Sequence, residues 1–202
     1  HKEYRRQRQM CIRDSSGSEL AICAVSAIMA QTTITEKEKN GMDIFDILGP
    51  VMVGPSSSHT AGAARIGAMA RTLLGEEVAD AKLHLYGSFA ETGKGHGTDR
   101  ALVAGLLGMK PDDLRIPNAF EEAKKAGLRY TIDEIDLRDA HPNTAVLELT
   151  GKGGRALTVQ ASSLGGGRIM VNKLDGIEVN FTGESNTLCL LYTSDAADDT
   201  PC

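Results

Sequence analysis

Five strand-like runs, the last four separated by glycine-containing turns, occupy residues 128–181 and constrain the fold of this 202-residue chain more than any other feature. Each run is rich in aliphatic and β-branched residues, which is typical of strands. The runs cover 128–135, 144–150, 155–161, 168–174 and 177–181. The Lys-Gly-Gly, Gly-Gly-Gly and Asp-Gly sequences between the last four are short hairpin signals. The second half of the chain is therefore predicted to form a mostly antiparallel sheet.

The first half carries helical periodicity. Apolar residues recur at helical spacing over 60–74, and Gly75 follows as a C-cap signal. Residues 81–86 alternate like a half-buried strand. The glycine-rich segment 87–99 that follows is predicted to be a loop.

Two shorter helices are predicted between this segment and the strand-rich half. One covers 100–107 and is capped by Thr98 or Asp99, and the other begins at Asn118, whose spacing to Glu121 is that of a capping box. Helices thus come early and strands late. This order favours an α+β fold, an antiparallel sheet with helices on one face, over a doubly wound parallel sheet.

The charge balance excludes several classes of partner. The formal net charge is −5 at pH 7, whereas binding to nucleic acid or to an anionic membrane requires clustered basic residues. No apolar run approaches the roughly 20 residues that span a bilayer. A small molecule or another protein is the expected partner, with no nucleic acid and no membrane.

The positions of the cysteines exclude a thiolate site in the central region. The four cysteines are Cys11, Cys23, Cys189 and Cys202, and their spacings match neither a zinc pair nor a disulfide framework. The predicted domain therefore offers no thiolate, and no metal site is expected in this chain.

Both ends of the chain are interpreted as non-native. A short stretch near each end can be encoded by one DNA segment and by its reverse complement, as in a sequencing adapter. Residues 1–41 are accordingly predicted to be a non-native or untranslated leader, with Met42 as the true start. The domain then covers 42–188, and residues 189–202 are adapter-like.

The segment Pro55–Thr60 is the first candidate site. It reads Pro-Ser-Ser-Ser-His-Thr between a Gly-Pro turn and a predicted helix start, so its hydroxyls and free N–H groups form an anion cradle. Helix capping alone would need only one of the four hydroxyls. The run Ser56, Ser57 and Ser58 with His59 therefore indicates a functional site.

The segment Gly93–Asp99 is the second candidate site. Its glycines alternate with Lys94 and His96, which permits close backbone approach to a ligand beside a point charge for a carboxylate or phosphate. It is not a P-loop, because Gly95 rather than Ser or Thr follows the lysine. A flexible surface loop remains the alternative interpretation.

Three further polar segments carry weaker signals. The segment His141–Thr144 leads into a predicted strand. Pro142 forces His141 before it into an extended conformation. The segment is therefore either a turn or part of a cleft. His84 and the segment 162–167 are predicted to be structural. Helical His-x-x-x-His spacing is missing, which disfavours zinc.

The sequence resembles a known enzyme family in four segments. They are PSSSHTAG at 55–62, GKGHGTD at 93–99, AHPNTAVLEL at 140–149 and SLGGGRI at 163–169. These segments are similar to the beta subunit of bacterial iron-sulfur-dependent L-serine dehydratase.

The resemblance implies a cytoplasmic lyase that converts L-serine to pyruvate and ammonia without pyridoxal phosphate. It implies a partner alpha subunit that holds a [4Fe-4S] cluster, whose open iron acts as a Lewis acid on the substrate. It also implies a fold similar to the allosteric substrate-binding domain of phosphoglycerate dehydrogenase. A small ACT-type regulatory domain would follow where the adapter-like residues now stand.

The resemblance also implies roles for individual residues. His59 is the leading candidate for the catalytic base, and Lys94 and His141 are the other catalytic candidates. The predicted substrate-binding residues are Ser56, Ser57, Ser58, Thr60, His96, Thr98, Asn143 and Thr144. The alternative is a non-catalytic regulatory domain that senses a small carboxylate, with all chemistry elsewhere.

Overall fold

A six-stranded mixed sheet forms the framework of the protein. The computed structural model describes residues 50–184, apart from the side chain of Lys94, so the four cysteines, the leader and the adapter-like end lie outside the described residues. The strands are β1 Val78–Leu85, β2 Arg129–Glu134, β3 Thr144–Gly151, β4 Ala156–Gly165, β5 Arg168–Leu174 and β6 Ile177–Phe181. Their order is β2-β1-β3-β4-β5-β6.

Strand pairing follows the hairpin signals of the sequence. β3, β4, β5 and β6 pair antiparallel in chain order, and β1 pairs antiparallel with β3. Only β1 and β2 are parallel among the described strands. The prediction of a mostly antiparallel sheet is confirmed, and the bounds predicted for β5 and β6 are those observed.

The two faces of the sheet differ in character. Leu83 pairs with Leu147 and Leu147 with Val159, and all three side chains are fully buried. Their strand neighbours Lys82 and Glu148 point to the opposite face, where they form an exposed ion pair of 3.2 Å. Side chains alternate between the faces of a strand, so one face is apolar and carries the helices. The α+β prediction with helices on one face is confirmed.

The helical layer begins with a π-helical turn, Ser57–Gly62, that continues into α1, Ala63–Leu74. It also contains α2 Ser88–His96, α3 Thr98–Leu106, a 3₁₀ turn Ile116–Asn118 and α4 Ala119–Ala126. α1 and α3 cross with their backbones in contact, since a β-carbon at Gly67 would overlap Leu102 O. No helix among residues 50–184 is long and apolar enough to cross a membrane.

The predicted loop over 87–99 is wrong, because most of it forms α2. The two glycines inside this helix cost about 1 kcal/mol each in propensity. Phe89 is 0% exposed, and its burial contributes about 1.5–3 kcal/mol, which offsets that cost. Gly97, with φ 70°, then ends α2 and precedes α3.

Both shorter helices are confirmed, and Asn118 occupies the predicted N-cap position of α4, but the predicted cap of α3 is wrong. Gly97 occupies the N-cap position of α3 without a side-chain bond, and Asp99 accepts a hydrogen bond from Arg100 N at 2.7 Å. Asn118 precedes α4 but makes no side-chain capping bond. Neither of these two helix starts therefore has a side-chain capping hydrogen bond.

Candidate active site

The serine-rich segment forms the first turn of a helix rather than a loop before it. Ser56 is the N-cap residue with extended backbone, and its Oγ accepts a hydrogen bond from His59 N at 3.2 Å. Ser57 and Ser58 lie inside the π-helical turn, which corrects the expectation that all the serines precede the helix. π-helical turns occur frequently at functional sites.

The imidazole of His59 lies among three serine hydroxyls. Its Nδ1 is 3.0 Å from Ser58 Oγ and 3.3 Å from Ser56 Oγ, and its Nε2 is 3.1 Å from Ser88 Oγ. The side chain is only 8% exposed, whereas the three serines are half-buried. Both ring nitrogens therefore face hydroxyl groups.

Both ends of α2 pack against this imidazole. The rings of His59 and His96 have centroids 5.0 Å apart, and Phe89 meets His59 edge-on at 5.4 Å. Thr60 Oγ1 donates a hydrogen bond to His96 O at 3.2 Å, which ties the π-helical turn to α2. His96 Nδ1 is buried and has no partner among the described residues.

The electrostatic environment favours neutral His59. Burial lowers the pKa of His59 below its ordinary value, and the nearby His96 lowers it further. A hydrogen bond involving the Ser88 main chain raises the pKa of His59, but the net effect is still a lowered pKa. An imidazole that is neutral near pH 7 can accept a proton.

The sequence matches a known family over this region. The profile of the family described as serine dehydratase beta chain matches residues 41–174. The chain belongs to the serine dehydratase beta chain family.

Similar proteins carry related names. The L-serine dehydratase beta chain of Peptoniphilus asaccharolyticus is 46% identical over 149 residues, which are 73% of this chain and 67% of that one. The probable L-serine dehydratase beta chain of Bacillus subtilis is 44% identical, over 74% of this chain and 67% of that one. The L-serine dehydratase of Streptomyces coelicolor is 36% identical over 52% of this chain, but over only 25% of its own length. The matched segment is thus also found within longer chains.

The structure places some of the predicted site residues of this family member beside His59 and others apart from it. Thr60 and His96 line an open cleft of about 200 Å³ together with Arg100. Thr98 is 0% exposed at the start of α3, and its hydroxyl has no partner among residues 50–184. Lys94 belongs to α2, and its side chain lies outside the described part of the structure.

The His141–Thr144 segment forms a turn that hydrogen-bonds to itself. His141 is exposed, and its Nδ1 accepts a hydrogen bond from Asn143 N at 3.1 Å. Thr144 is 0% exposed, and its hydroxyl donates to His141 O at 2.6 Å. The ring nitrogens of His59 face serines instead, so the structure does not bring His141 to them.

This turn nevertheless supports the site through α2. Pro142 O accepts a hydrogen bond from Phe89 N at 3.5 Å, and a β-carbon on Gly87, whose φ is 55°, would lie 2.8 Å from the same oxygen. Asn143 O accepts a hydrogen bond from Ser163 N at 2.9 Å. The turn thereby fixes the start of α2, where Ser88 lies.

The segment 162–167 and His84 have structural positions. Ser162 and Ser163 end β4 as buried residues, and Gly165–Gly167 form the predicted turn with positive φ at each glycine. His84 lies 3.7 Å from Glu148 on the sheet face opposite the helices. Among residues 50–184 no group of three or more His, Cys, Asp or Glu side chains could hold a metal ion.

The sequence interpretation missed Ser88. This residue lies 29 positions from His59 and inside the segment predicted to be a loop, so no local pattern links the two residues. The only sequence signal is Gly87 before it, because glycine tolerates the positive φ that the turn into α2 requires.

Proposed function

We propose that this chain is the beta subunit of an L-serine dehydratase, which converts L-serine to pyruvate and ammonia. The observation that carries the proposal is His59, a buried imidazole with a lowered pKa and serine hydroxyls at both ring nitrogens. The two relatives that bear this name over most of the chain support it. Neither relative has a name that favours the regulatory alternative.

His59 serves as the base in this proposal. Elimination of water from serine requires removal of the α-proton, and a neutral imidazole is suited to that step near neutral pH. Ser57 and the free main-chain N–H groups of the helix start orient the substrate carboxylate, since these groups and the helix dipole favour an anion. Ser58 and Thr60 support this binding site through their hydrogen bonds to His59 and His96. Lys94 remains the second candidate for the base, and His96 for binding the carboxylate.

The iron-sulfur cluster is assigned to a partner alpha subunit. The described residues do not fit a cluster, because residues 50–184 contain no cysteine and no group of three metal ligands. The term beta chain in the relatives' names supports a partner chain. The partner's cluster would supply Lewis acidity toward the substrate hydroxyl. A cytoplasmic enzyme without pyridoxal phosphate is part of the same proposal.

Anaerobic co-expression with a cognate alpha subunit tests the proposal. Pyruvate formation from L-serine is measured for the unmodified enzyme, for His59→Ala and for the control Thr72→Ala, which removes an exposed hydroxyl that donates to Ala68 O. We expect kcat to fall on the order of 100-fold or more in His59→Ala and to be unchanged in the control. The cluster absorbance must remain equal in all three. Unchanged turnover in His59→Ala would remove this residue from the chemistry.

A further inference from the structure

The catalytic imidazole is covered by the serines around it. His59 is 8% exposed, while Ser58 and Ser88, which face its two nitrogens, are half-buried. A substrate that approaches from solvent therefore meets a hydroxyl group before it meets a ring nitrogen. Direct transfer of a proton to His59 would require one of these serines to move away.

The hydroxyls and the imidazole form one continuous hydrogen-bonded chain. Ser56 Oγ is 3.2 Å from Ser58 Oγ, Ser58 Oγ is 3.0 Å from His59 Nδ1, and His59 Nε2 is 3.1 Å from Ser88 Oγ. With the proton on Nδ1, the imidazole donates to Ser58, Ser58 donates to Ser56, and Ser88 donates to Nε2. With the proton on Nε2, every one of these bonds reverses. Both patterns are complete, so the chain can move a proton in either direction.

Ser88 differs from the two serines at the other end of this chain. Ser56 Oγ already accepts a hydrogen bond from His59 N, and Ser56 and Ser58 contact each other. Among residues 50–184 the Ser88 hydroxyl hydrogen-bonds only to His59. Ser88 therefore keeps capacity for a hydrogen bond to a molecule outside the described chain.

We propose that Ser88 Oγ takes the α-proton of the substrate while passing its own proton to His59 Nε2. Ser58 accepts the hydrogen bond from Nδ1 and holds the imidazole in the tautomer that this transfer needs. In this arrangement Ser88 is the hydroxyl that transfers the proton, His59 is the base, and Ser58 orients the base. This inference rests on the proposed function and adds Ser88 to it as a catalytic residue.

The step balances without another reactant. The Cα–H bond of serine breaks, its electron pair forms the Cα–Cβ double bond, and the Cβ–O bond breaks as hydroxide leaves. The proton now on His59 joins that hydroxide to give water. The 2-aminoacrylate that remains takes up one water molecule and yields pyruvate and ammonia.

The position of Ser88 is fixed from two sides. Gly87 lies against Pro142 O, and Tyr86 N donates to Thr144 O at 3.0 Å, so the chain enters α2 from the paired strands at a set angle. Thr92 Oγ1 donates to Ser88 O at 2.7 Å within the helix. A group that transfers protons must be held in place by such a supporting shell.

The experiment compares Ser88→Ala with Ser88→Thr, which keeps the hydroxyl, in the same two-chain enzyme. For Ser88→Ala we expect a fall in kcat of roughly 100-fold with KM changed by less than about threefold, as for loss of a proton-transfer group. The kinetic isotope effect with α-deuterated L-serine should increase in Ser88→Ala. Ser88→Thr should keep at least about a third of the activity, and a Ser88→Ala/His59→Ala double variant should be no slower than His59→Ala.

Two results would overturn the inference. One is a loss of less than about threefold in Ser88→Ala, and the other is a double variant whose losses multiply, because residues of one relay act as a unit. Ser88→Thr also serves as the fold control, and inactivity in that variant despite normal thermal stability and cluster absorbance counts against the relay. If the unmodified enzyme forms no pyruvate, the proposed function fails. If His59→Ala is inactive while Ser88→Ala is active, only the relay fails.

Discussion

Gly62 in the π-helical turn lies directly against Ser163 on β4, so closely that a β-carbon at position 62 would overlap the serine hydroxyl. The Ser163 hydroxyl is buried and has no hydrogen-bond partner within the described residues. This contact seats the turn that carries His59 on the sheet. The wide π-helical geometry therefore depends on the absence of a side chain at position 62.

Gly62→Ala should displace the turn and lower both stability and turnover. Overpacking of a filled interior costs about 1–3 kcal/mol, and a shift of His59 would reduce kcat at least tenfold. Gly95→Ala is the matched control, since nothing lies within 4 Å of a β-carbon there and alanine favours a helix. Thermal denaturation should show a lower midpoint for Gly62→Ala only. Equal midpoints for the two variants would contradict the packing argument.

The pH profile should report the environment of His59. Because the pKa of His59 is lowered from 6.5 and the base must be neutral, kcat/KM should persist below pH 6.5 and fall only as pH drops through the lowered value. His96→Gln removes one cause of the lowering, so the acidic limb should move to higher pH. His84→Gln, on the opposite sheet face, should leave the limb in place. A limb that His96→Gln does not move would show that another group controls it.

Glu76 should stabilise the hairpin between β3 and β4. Its carboxylate accepts hydrogen bonds from Gly153 N at 2.7 Å and Arg155 N at 2.9 Å. Glu76→Ala should lower the free energy of unfolding by about 1–3 kcal/mol, because hydrogen bonds to charged groups contribute that much. Denaturation with urea measures it, and turnover should be nearly unchanged.

The neighbouring Glu77 provides the control for this prediction. It forms an ion pair of 2.7 Å with Lys152 in which both side chains are mostly exposed. Exposed pairs contribute little to stability. Glu77→Ala should therefore shift the urea midpoint less than Glu76→Ala, and the reverse order would contradict the assignment.

Phe89 should be the main hydrophobic anchor of α2. It is 0% exposed and contacts His59 edge-on, so Phe89→Ala should cost about 3–5 kcal/mol and should disorder the start of the helix that carries Ser88. Hydrogen exchange of α2 amides and urea denaturation measure the two effects. Leu114→Ala, at a side chain that is 83% exposed, is the control and should change neither. Intact protection of α2 in Phe89→Ala would show that another contact holds it.

Local patterns were sufficient for most of the sheet. β5 and β6 were predicted to the residue because alternating side chains and glycine turns are both properties of short segments. The long helix that ends at Leu74, before the C-cap Gly75, was predicted for the same reason. α2 was not, because its glycines argue against a helix and only the burial of Phe89 by distant residues outweighs them.

Only the part of the candidate site that is contiguous in the sequence was predicted. The run from Ser56 to Thr60 is visible in the sequence, and in the structure two of its hydroxyls, those of Ser56 and Ser58, lie at Nδ1 of His59. The pairing of His59 with Ser88 and its contact with His96 depend on how α2 packs, which no spacing in the sequence encodes. The turn at His141 was recognised, but its position under Gly87 required the fold.

The contacts that tie the π-helical turn to the rest of the protein all join distant parts of the chain. His59 contacts Ser88 at the start of α2, which follows β1, and Thr60 contacts His96 at the other end of α2. Gly62 contacts Ser163 on β4. Closing such long loops is slow compared with forming a helix or a hairpin. We therefore expect the surroundings of the imidazole to assemble in a late stage of folding, after β4 has joined the sheet. During refolding, recovery of serine turnover should lag behind recovery of helical circular dichroism.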